Sequence, residues 1–188
     1  MLLSVLATVA AYLFGSLSFA VIVSRAFGLA DPRTFGSGNP GATNVLRSGS
    51  KVAAIVTLLL DAAKGWLPVM LVKWFGPAYG LGEGTQALVG LAAFIGHLYP
   101  VFFGFKGGKG VATAAGVLLA FEPWLGVAAL ASFAIIVFFF RYVSLASMVA
   151  AVFAPAYYLL GNGVAWPASG AKTLAMVAMG LLLIWRHR

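Results

Sequence analysis

Two glycine-rich stretches hold most of the side chains able to do chemistry in a sequence that is otherwise apolar. The first reads Gly36-Ser37-Gly38-Asn39-Pro40-Gly41-Ala42-Thr43-Asn44-Val45-Leu46-Arg47. Its glycines allow backbone N–H groups to crowd toward one point, and Ser37, Asn39, Thr43 and Asn44 add neutral hydrogen-bonding groups. Arg47 supplies a planar cationic fork that matches a phosphate. The mixture describes an anion cradle. A turn-rich loop that caps helices, with Arg47 at lipid headgroups, would use similar residues. What favours function is a run of twelve residues whose only large apolar side chains are Val45 and Leu46.

The second stretch, Gly96-His97-Leu98-Tyr99-Pro100-Val101-Phe102-Phe103-Gly104-Phe105-Lys106-Gly107-Gly108-Lys109-Gly110-Val111-Ala112-Thr113, places a glycine-lysine turn before an apolar helical run. Exposed N–H groups and the positive end of a helix dipole would both favour an anion there. A nucleotide-hydrolysing Walker A loop is excluded, because Phe103 stands five residues before Gly108 and Gly110 follows Lys109 where Ser or Thr would hold magnesium. Lys106 and Lys109 could also act simply as determinants of membrane orientation. His97 has two readings: a hydrogen bond to a neighbouring helix, or a place in the site's lining.

The carboxylates are Asp31, Asp61, Glu83 and Glu122, too few and too scattered for carboxylate-rich metal chemistry. The absence of cysteine removes thiol nucleophiles, thiolate-bound zinc and iron–sulfur clusters. No metal and no cofactor is expected.

The elements that must position these loops are membrane helices. At 62% hydrophobic and 9% charged, 188 residues could not cover a soluble globule with polar surface. A span needs about 20 largely apolar residues, so the chain holds about seven helices and little else. The apolar runs predict an all-α integral membrane protein, one membrane-embedded domain over 1–188, with spans near 2–24, 52–74, 86–105, 110–122, 124–140, 142–161 and 166–185. The stretch Val111 to Phe140 is either one tilted helix or two helices broken at Glu122-Pro123. Charge asymmetry selects the break. With seven spans and the N-terminus outside, Arg25, Arg33, Arg47, Lys51, Lys106, Lys109, Arg141, Arg186 and Arg188 lie in the cytoplasm, and only Lys73 and Lys172 lie outside. The run from Leu2 to about Val23 lacks a basic leader and is too long for a signal-peptide core, so it reads as the first span. The run from Val111 to Phe121 would rise only about 16 Å as a helix, so the turn before it must dip into the membrane beside a polar pocket. Asp61 and Lys64, three apart on the second span, read as a structural ion pair.

These residues carry a resemblance. The GSGNPGATNVLR loop, the GH-x-YPVFFGFKGGKGVAT run, the RYVSLAS turn from Arg141 to Ser147 and the terminal Arg186-His187-Arg188 together resemble the acyl-phosphate:glycerol-3-phosphate acyltransferase family over essentially the whole chain. The resemblance implies that glycerol 3-phosphate is held by Ser37, Arg47, Lys109 and His187. It also implies that the loops Gly36 to Asn44 and Lys106 to Gly110 handle phosphate groups, and that Ser147 matches a polar residue at the site. Joined to the residue chemistry, this gives His97, Lys109 and His187 as expected catalytic groups. The expected substrate-binding groups are Ser37, Gly38, Asn39, Thr43, Asn44, Arg47, Lys106, Gly107, Gly108, Gly110, Thr113 and Ser147. The family's last motif continues past Arg-His-Arg with an Asn and, farther on, a Glu, whereas this sequence stops at Arg188. A fuller chain is expected to carry a binding group that this one lacks.

The implied reaction moves a fatty acyl group from acyl phosphate to the 1-hydroxyl of sn-glycerol 3-phosphate, giving lysophosphatidate and phosphate in the first step of phospholipid synthesis. The proton would pass to a histidine or to a substrate phosphate oxygen. Expected partners are the two substrates, membrane lipid and a soluble enzyme that makes the acyl phosphate, with no nucleic acid. The expected location is the bacterial inner membrane, with the site facing the cytoplasm. Metal-dependent CDP-alcohol phosphatidyltransferases are disfavoured by the scattered carboxylates. Acyl-CoA-dependent relatives need an Asp five residues after a His, where this sequence has Phe102 after His97. A small anion transporter is disfavoured because the polar residues gather on one side.

Overall fold

The computed structural model describes residues 1–187. Among these, α1 (Leu2–Gly15), α2 (Phe19–Ala26), α3 (Ala42–Leu46), α4 (Lys51–Phe75), α5 (Glu83–Leu98), α6 (Val111–Phe121), α7 (Pro123–Phe140), α8 (Val143–Leu160) and α9 (Gly170–Arg186) account for nearly all regular structure, with short 3-10 turns at Gly76–Tyr79 and Val101–Phe103. No strand is present among the described residues. Apolar side chains such as Leu58, Phe138, Leu160 and Leu181 stay exposed around the bundle. Such a surface is stable only in lipid.

Helix occurs in each of the seven expected apolar segments, with three differences of detail. The first segment is bent by 42° between α1 and α2. The break has a packing cause: Gly15 and Gly96 bring α1 and α5 into backbone contact, with no room for a Cβ at either position. Lys64 Nζ then takes the carbonyl of Leu17, which the break frees, at 2.7 Å. The third segment stops at Leu98, short of the expected 105, because Tyr99 leaves the helical conformation and Pro100 cannot continue the ladder. The first loop carries the small helix α3, which composition did not suggest. The break at Glu122 is as expected: Glu122 is extended and Pro123 opens α7. By length and composition four helices could each cross a membrane, or five if α1 and α2 form one bent span, and α6 is a shorter apolar helix of 11 residues.

Small residues let the helices that carry the site pack closely. Gly65 on α4 lies against the Thr113 carbonyl of α6, and Gly116 on α6 lies against the Ala62 carbonyl of α4. Close helix approach through small residues supplies van der Waals contact where lipid offers no hydrophobic drive. α5, α6 and α9 lie alongside one another so that the C-terminal end of α5, the N-terminal end of α6 and the C-terminal end of α9 meet at one end of the bundle. There Gly107 and Gly108 bond back to Leu98 and His97, and Arg186 reaches Gly107.

Candidate active site

The first loop is held by Asn44, which α3 points inward. Its amide donates to the Pro32 carbonyl at 2.6 Å and the Phe35 carbonyl at 3.1 Å, and its Oδ1 accepts from the Ser37 N–H at 3.2 Å. Gly36, at φ +59, fits against Asn44 Oδ1 and the Arg47 side chain, where a Cβ would collide. Asn44 is thus buried and committed to shaping the loop. Ser37, Gly38, Thr43 and Arg47 are exposed, and Asn39 is half-buried. Residues Arg33 to Gly38 line an open cavity of about 370 Å³. A second, of about 330 Å³, is lined by Val21, Arg25, Gly28, Leu29 and Asp31. Both hollows lie along the first loop and the chain leading into it, whereas the sequence predicts a polar pocket beside the glycine turn before α6. Arg33 chelates Asp31, with an N–O distance of 2.7 Å, and holds that carboxyl below its usual range. The Arg33 guanidinium also stacks over Phe103 at 5.7 Å, which joins the first loop to the second stretch.

The second loop folds onto the end of α5. The Gly107 N–H donates to the Leu98 carbonyl at 3.2 Å and the Gly108 N–H to the His97 carbonyl at 3.1 Å. Those two N–H groups are consumed, so the turn differs from the open nest that its glycines suggest. What it presents is Lys106, which is exposed, Lys109, which is half-buried, and the N-terminus of α6. Gly110, at φ +83, caps α6 without a side-chain bond, so no capping side chain answers the positive end of the helix dipole. Cβ atoms at Gly107, Gly108 or Gly110 would strike His97, Leu98 or Phe94. Glycine is required there for close packing rather than for bare N–H display.

Beneath this turn lies a buried polar group. Asp61 and Lys64 of α4 are paired at 2.8 Å and fully buried. His97 Nδ1 lies 3.6 Å from Asp61 Oδ1 and 3.2 Å from Thr113 Oγ1. His97 is buried, so its ring belongs to this internal group, with Nε2 turned toward Gly108. At the end of α9, His187 Nδ1 lies 2.8 Å from the Leu183 carbonyl. Partial burial first, and the Lys109 ammonium to a smaller degree, hold His187 below the ordinary histidine range, against that carbonyl. Ser147 is buried, and its hydroxyl donates to Val143 on its own helix at 2.8 Å. Arg188 lies outside the described residues.

Sequence reasoning missed two participants. Asp61 reads as a partner for Lys64 alone, yet it also faces His97. Arg186 donates to the Gly107 carbonyl at 2.8 Å and stacks on Tyr99, so α9 pins the second loop. Its place in the terminal Arg-His-Arg was the available signal. The charge balance is also informative. All four carboxylates have basic partners: Asp31 with Arg33, Asp61 with Lys64, and Glu83 and Glu122 with Lys172. Arg47, Lys106 and Lys109 therefore keep their charge without a carboxylate among the described residues.

Fold and site together define a multi-pass membrane protein with basic, glycine-rich loops gathered at one end of a helix bundle. The model of the glycerol-3-phosphate acyltransferase family matches residues 5–188, and the chain belongs to that family. A glycerol-3-phosphate acyltransferase of Albidiferax ferrireducens is 71% identical over 181 residues, covering 96% of this chain and 81% of the relative. One from Ralstonia pickettii is 62% identical, covering 98% and 87%. Among solved structures, PlsY (YgiH), an integral membrane glycerol 3-phosphate acyltransferase, superposes with a TM-score of 0.88 in its glycerol 3-phosphate form, at 36% identity over 98% of this chain and 88% of that one. Its lysophosphatidic acid form gives 0.87 at 35% identity, with the same coverage.

Proposed function

We propose that this protein is a glycerol-3-phosphate 1-O-acyltransferase that uses acyl phosphate, giving lysophosphatidate and inorganic phosphate. The observation that carries this reading is the trio Arg47, Lys106 and Lys109, which has no carboxylate partner among the described residues and stands on two loops at the same end of the bundle as the N-terminus of α6. Such an end suits a substrate that brings its own negative charge. The names of the relatives identify one such substrate as glycerol 3-phosphate.

The donor is argued from chemistry. Acyl phosphate is a mixed anhydride with a good leaving group, so positioning and charge neutralisation suffice without a covalent intermediate. The glycerol 1-hydroxyl oxygen bonds to the acyl carbon while the bond from that carbon to the phosphate oxygen breaks. The hydroxyl proton passes to a histidine or to a phosphate oxygen. Of the two histidines, His187 is nearer to solvent and within the field of Lys109. Ser37, Arg47, Lys109 and His187 are assigned to glycerol 3-phosphate, with Gly38, Asn39 and Thr43 along the same loop. Lys106 and the α6 end neutralise phosphate. Asn44, Gly107, Gly108, Gly110, Thr113 and Ser147 act by holding the loops and helices that present these groups. The acyl chain enters between helices from the bilayer.

The whole chain forms one domain with seven spans, N-terminus out and C-terminus in, in the bacterial inner membrane. Its loop end faces the cytoplasm, where a soluble enzyme would supply the acyl phosphate. Cysteine placed at Ser48 or Lys106 should then be labelled only from the cytoplasm, and at Gly82 or Gly163 from outside. Labelling of position 48 in intact cells by an impermeant reagent would reverse this orientation.

The activity test is made in detergent. Acyl phosphate and glycerol 3-phosphate should yield lysophosphatidate, acyl-CoA should be a poor donor, and excess EDTA should leave the rate unchanged. Product formed without a sealed membrane excludes a transporter. Comparable turnover from acyl-CoA, or loss of activity in EDTA that magnesium restores, would overturn the proposed donor and mechanism.

A further inference from the structure

Resting on that reading, we infer that Asp61 is a positioning residue for the Lys106–Gly110 loop, acting through His97. The contacts form a continuous path from the middle of α4 to the phosphate-neutralising turn. Asp61 Oδ1 faces His97 Nδ1 at 3.6 Å, too long for a hydrogen bond but close enough for a strong field inside a buried site. Thr113 Oγ1, at 3.2 Å from the same nitrogen, completes the fixation of the ring. A carboxylate beside Nδ1 favours the proton on that nitrogen, so the ring has one preferred tautomer as well as one orientation. On its far side, Nε2 abuts Gly108 so closely that a Cβ there could not be accommodated. The carbonyls of His97 and Leu98 take the Gly108 and Gly107 N–H groups, and Arg186 holds the Gly107 carbonyl from the other side. The loop is thus clamped between α5 and α9, and the orientation of His97 sets the floor on which Gly108, and next to it Lys109, rest.

The geometry also explains why a buried carboxylate stands where an apolar residue would cost less. Lys64 has uses of its own, since it donates to Leu17 at 2.7 Å and stacks on Phe19 at 5.6 Å. If Asp61 served only to neutralise Lys64, exchanging both charges for neutral residues would be tolerated, as it often is for buried ion pairs. A carboxylate that also orients His97 is not dispensable in that way. The two roles therefore separate in a double variant.

The experiment compares the wild-type chain with Asp61→Asn/Lys64→Gln, in which no uncompensated charge is left and Gln can still donate to Leu17. Glu83→Gln/Lys172→Gln, at the other end of α5 and α9, is the control. Both variants should be recovered as folded, monodisperse protein in detergent. The Asp61→Asn/Lys64→Gln enzyme should show a KM for glycerol 3-phosphate raised roughly ten- to hundredfold, with a smaller fall in kcat, as a slightly misplaced binding loop produces. The control should keep the wild-type KM. A structural role alone would lower the amount of active enzyme and leave KM untouched, and that result overturns the inference.

A readout independent of turnover is the alkylation rate of cysteine placed at Phe105, an exposed residue of the same loop, since the native chain has no thiol. It should rise in the Asp61→Asn/Lys64→Gln background, and an unchanged rate counts against the positioning role. Should the double variant not fold, Thr113→Val read by the same KM and alkylation rate decides, with unchanged values overturning the inference. Failure of the wild-type chain to make lysophosphatidate would refute the proposed activity, while the alkylation comparison would still report on the loop.

Discussion

The two ends of the bundle use the same kinds of residue in opposite ways. At the end where α5 and α9 begin and α6 finishes, cations have partners within the protein: buried Lys172 meets Glu83 at 3.1 Å and Glu122 at 3.7 Å, and Lys73 donates to the last carbonyls of α6, Ala120 and Phe121. At the other end, Arg47, Lys106 and Lys109 have no carboxylate partner among the described residues. A cation with a partner closes a helix break, and a cation without one leaves an electrostatic demand that an anionic ligand can meet. Location in the bundle, more than residue type, decides which role a lysine plays.

The sharpest way to break this contrast is to remove charge from the open end. Arg47→Ala and Lys109→Ala should each lower kcat/KM for glycerol 3-phosphate by roughly ten- to 150-fold, since a charged hydrogen bond contributes about 1.5–3 kcal/mol. Each should leave the melting temperature nearly unchanged. Near-normal kinetics in either variant, at wild-type expression, removes that residue from the site. The opposite pattern should follow at the closed end. Lys172→Met should lower stability by about 1 kcal/mol, discounted from the usual buried-pair figure because Glu83 is half-exposed and can be solvated. Its KM should not change. A Lys172→Met enzyme with a raised KM and unaltered stability would erase the distinction between the ends.

Much of the helical frame is legible in the sequence because its signals are local. Apolar runs mark the helices, Pro123 marks the break after α6, and the three-residue spacing of Asp61 and Lys64 marks an ion pair. The α1–α2 bend escapes because it depends on Gly15 meeting Gly96 and Leu17 meeting Lys64, contacts between distant segments. At the candidate site, residue types announce an anion, but the division of labour among them is a matter of three-dimensional contact. Asn44 looks like a ligand-binding amide and proves to be spent on the loop's own carbonyls. Gly107 and Gly108 look like donors, yet they give their N–H groups to α5. His97 and Asp61 are 36 positions apart in the chain, and nothing local to either one points to the other.

The one-turn spacing of Asp61 and Lys64 also bears on how the chain reaches the bilayer during synthesis. α4 is made before α5 and α6, so His97 and Thr113 do not yet exist when this segment meets the insertion machinery. A solitary charge at mid-helix raises the cost of partitioning by about 2.5–3.5 kcal/mol. Here each charge carries its counter-ion on the same helical face, at 2.8 Å, and the middle of α4, between Lys51 and Lys73 at its ends, can enter lipid as an electrically neutral stretch. The nascent helix thus brings a buried carboxylate into the membrane ahead of the histidine it will later face.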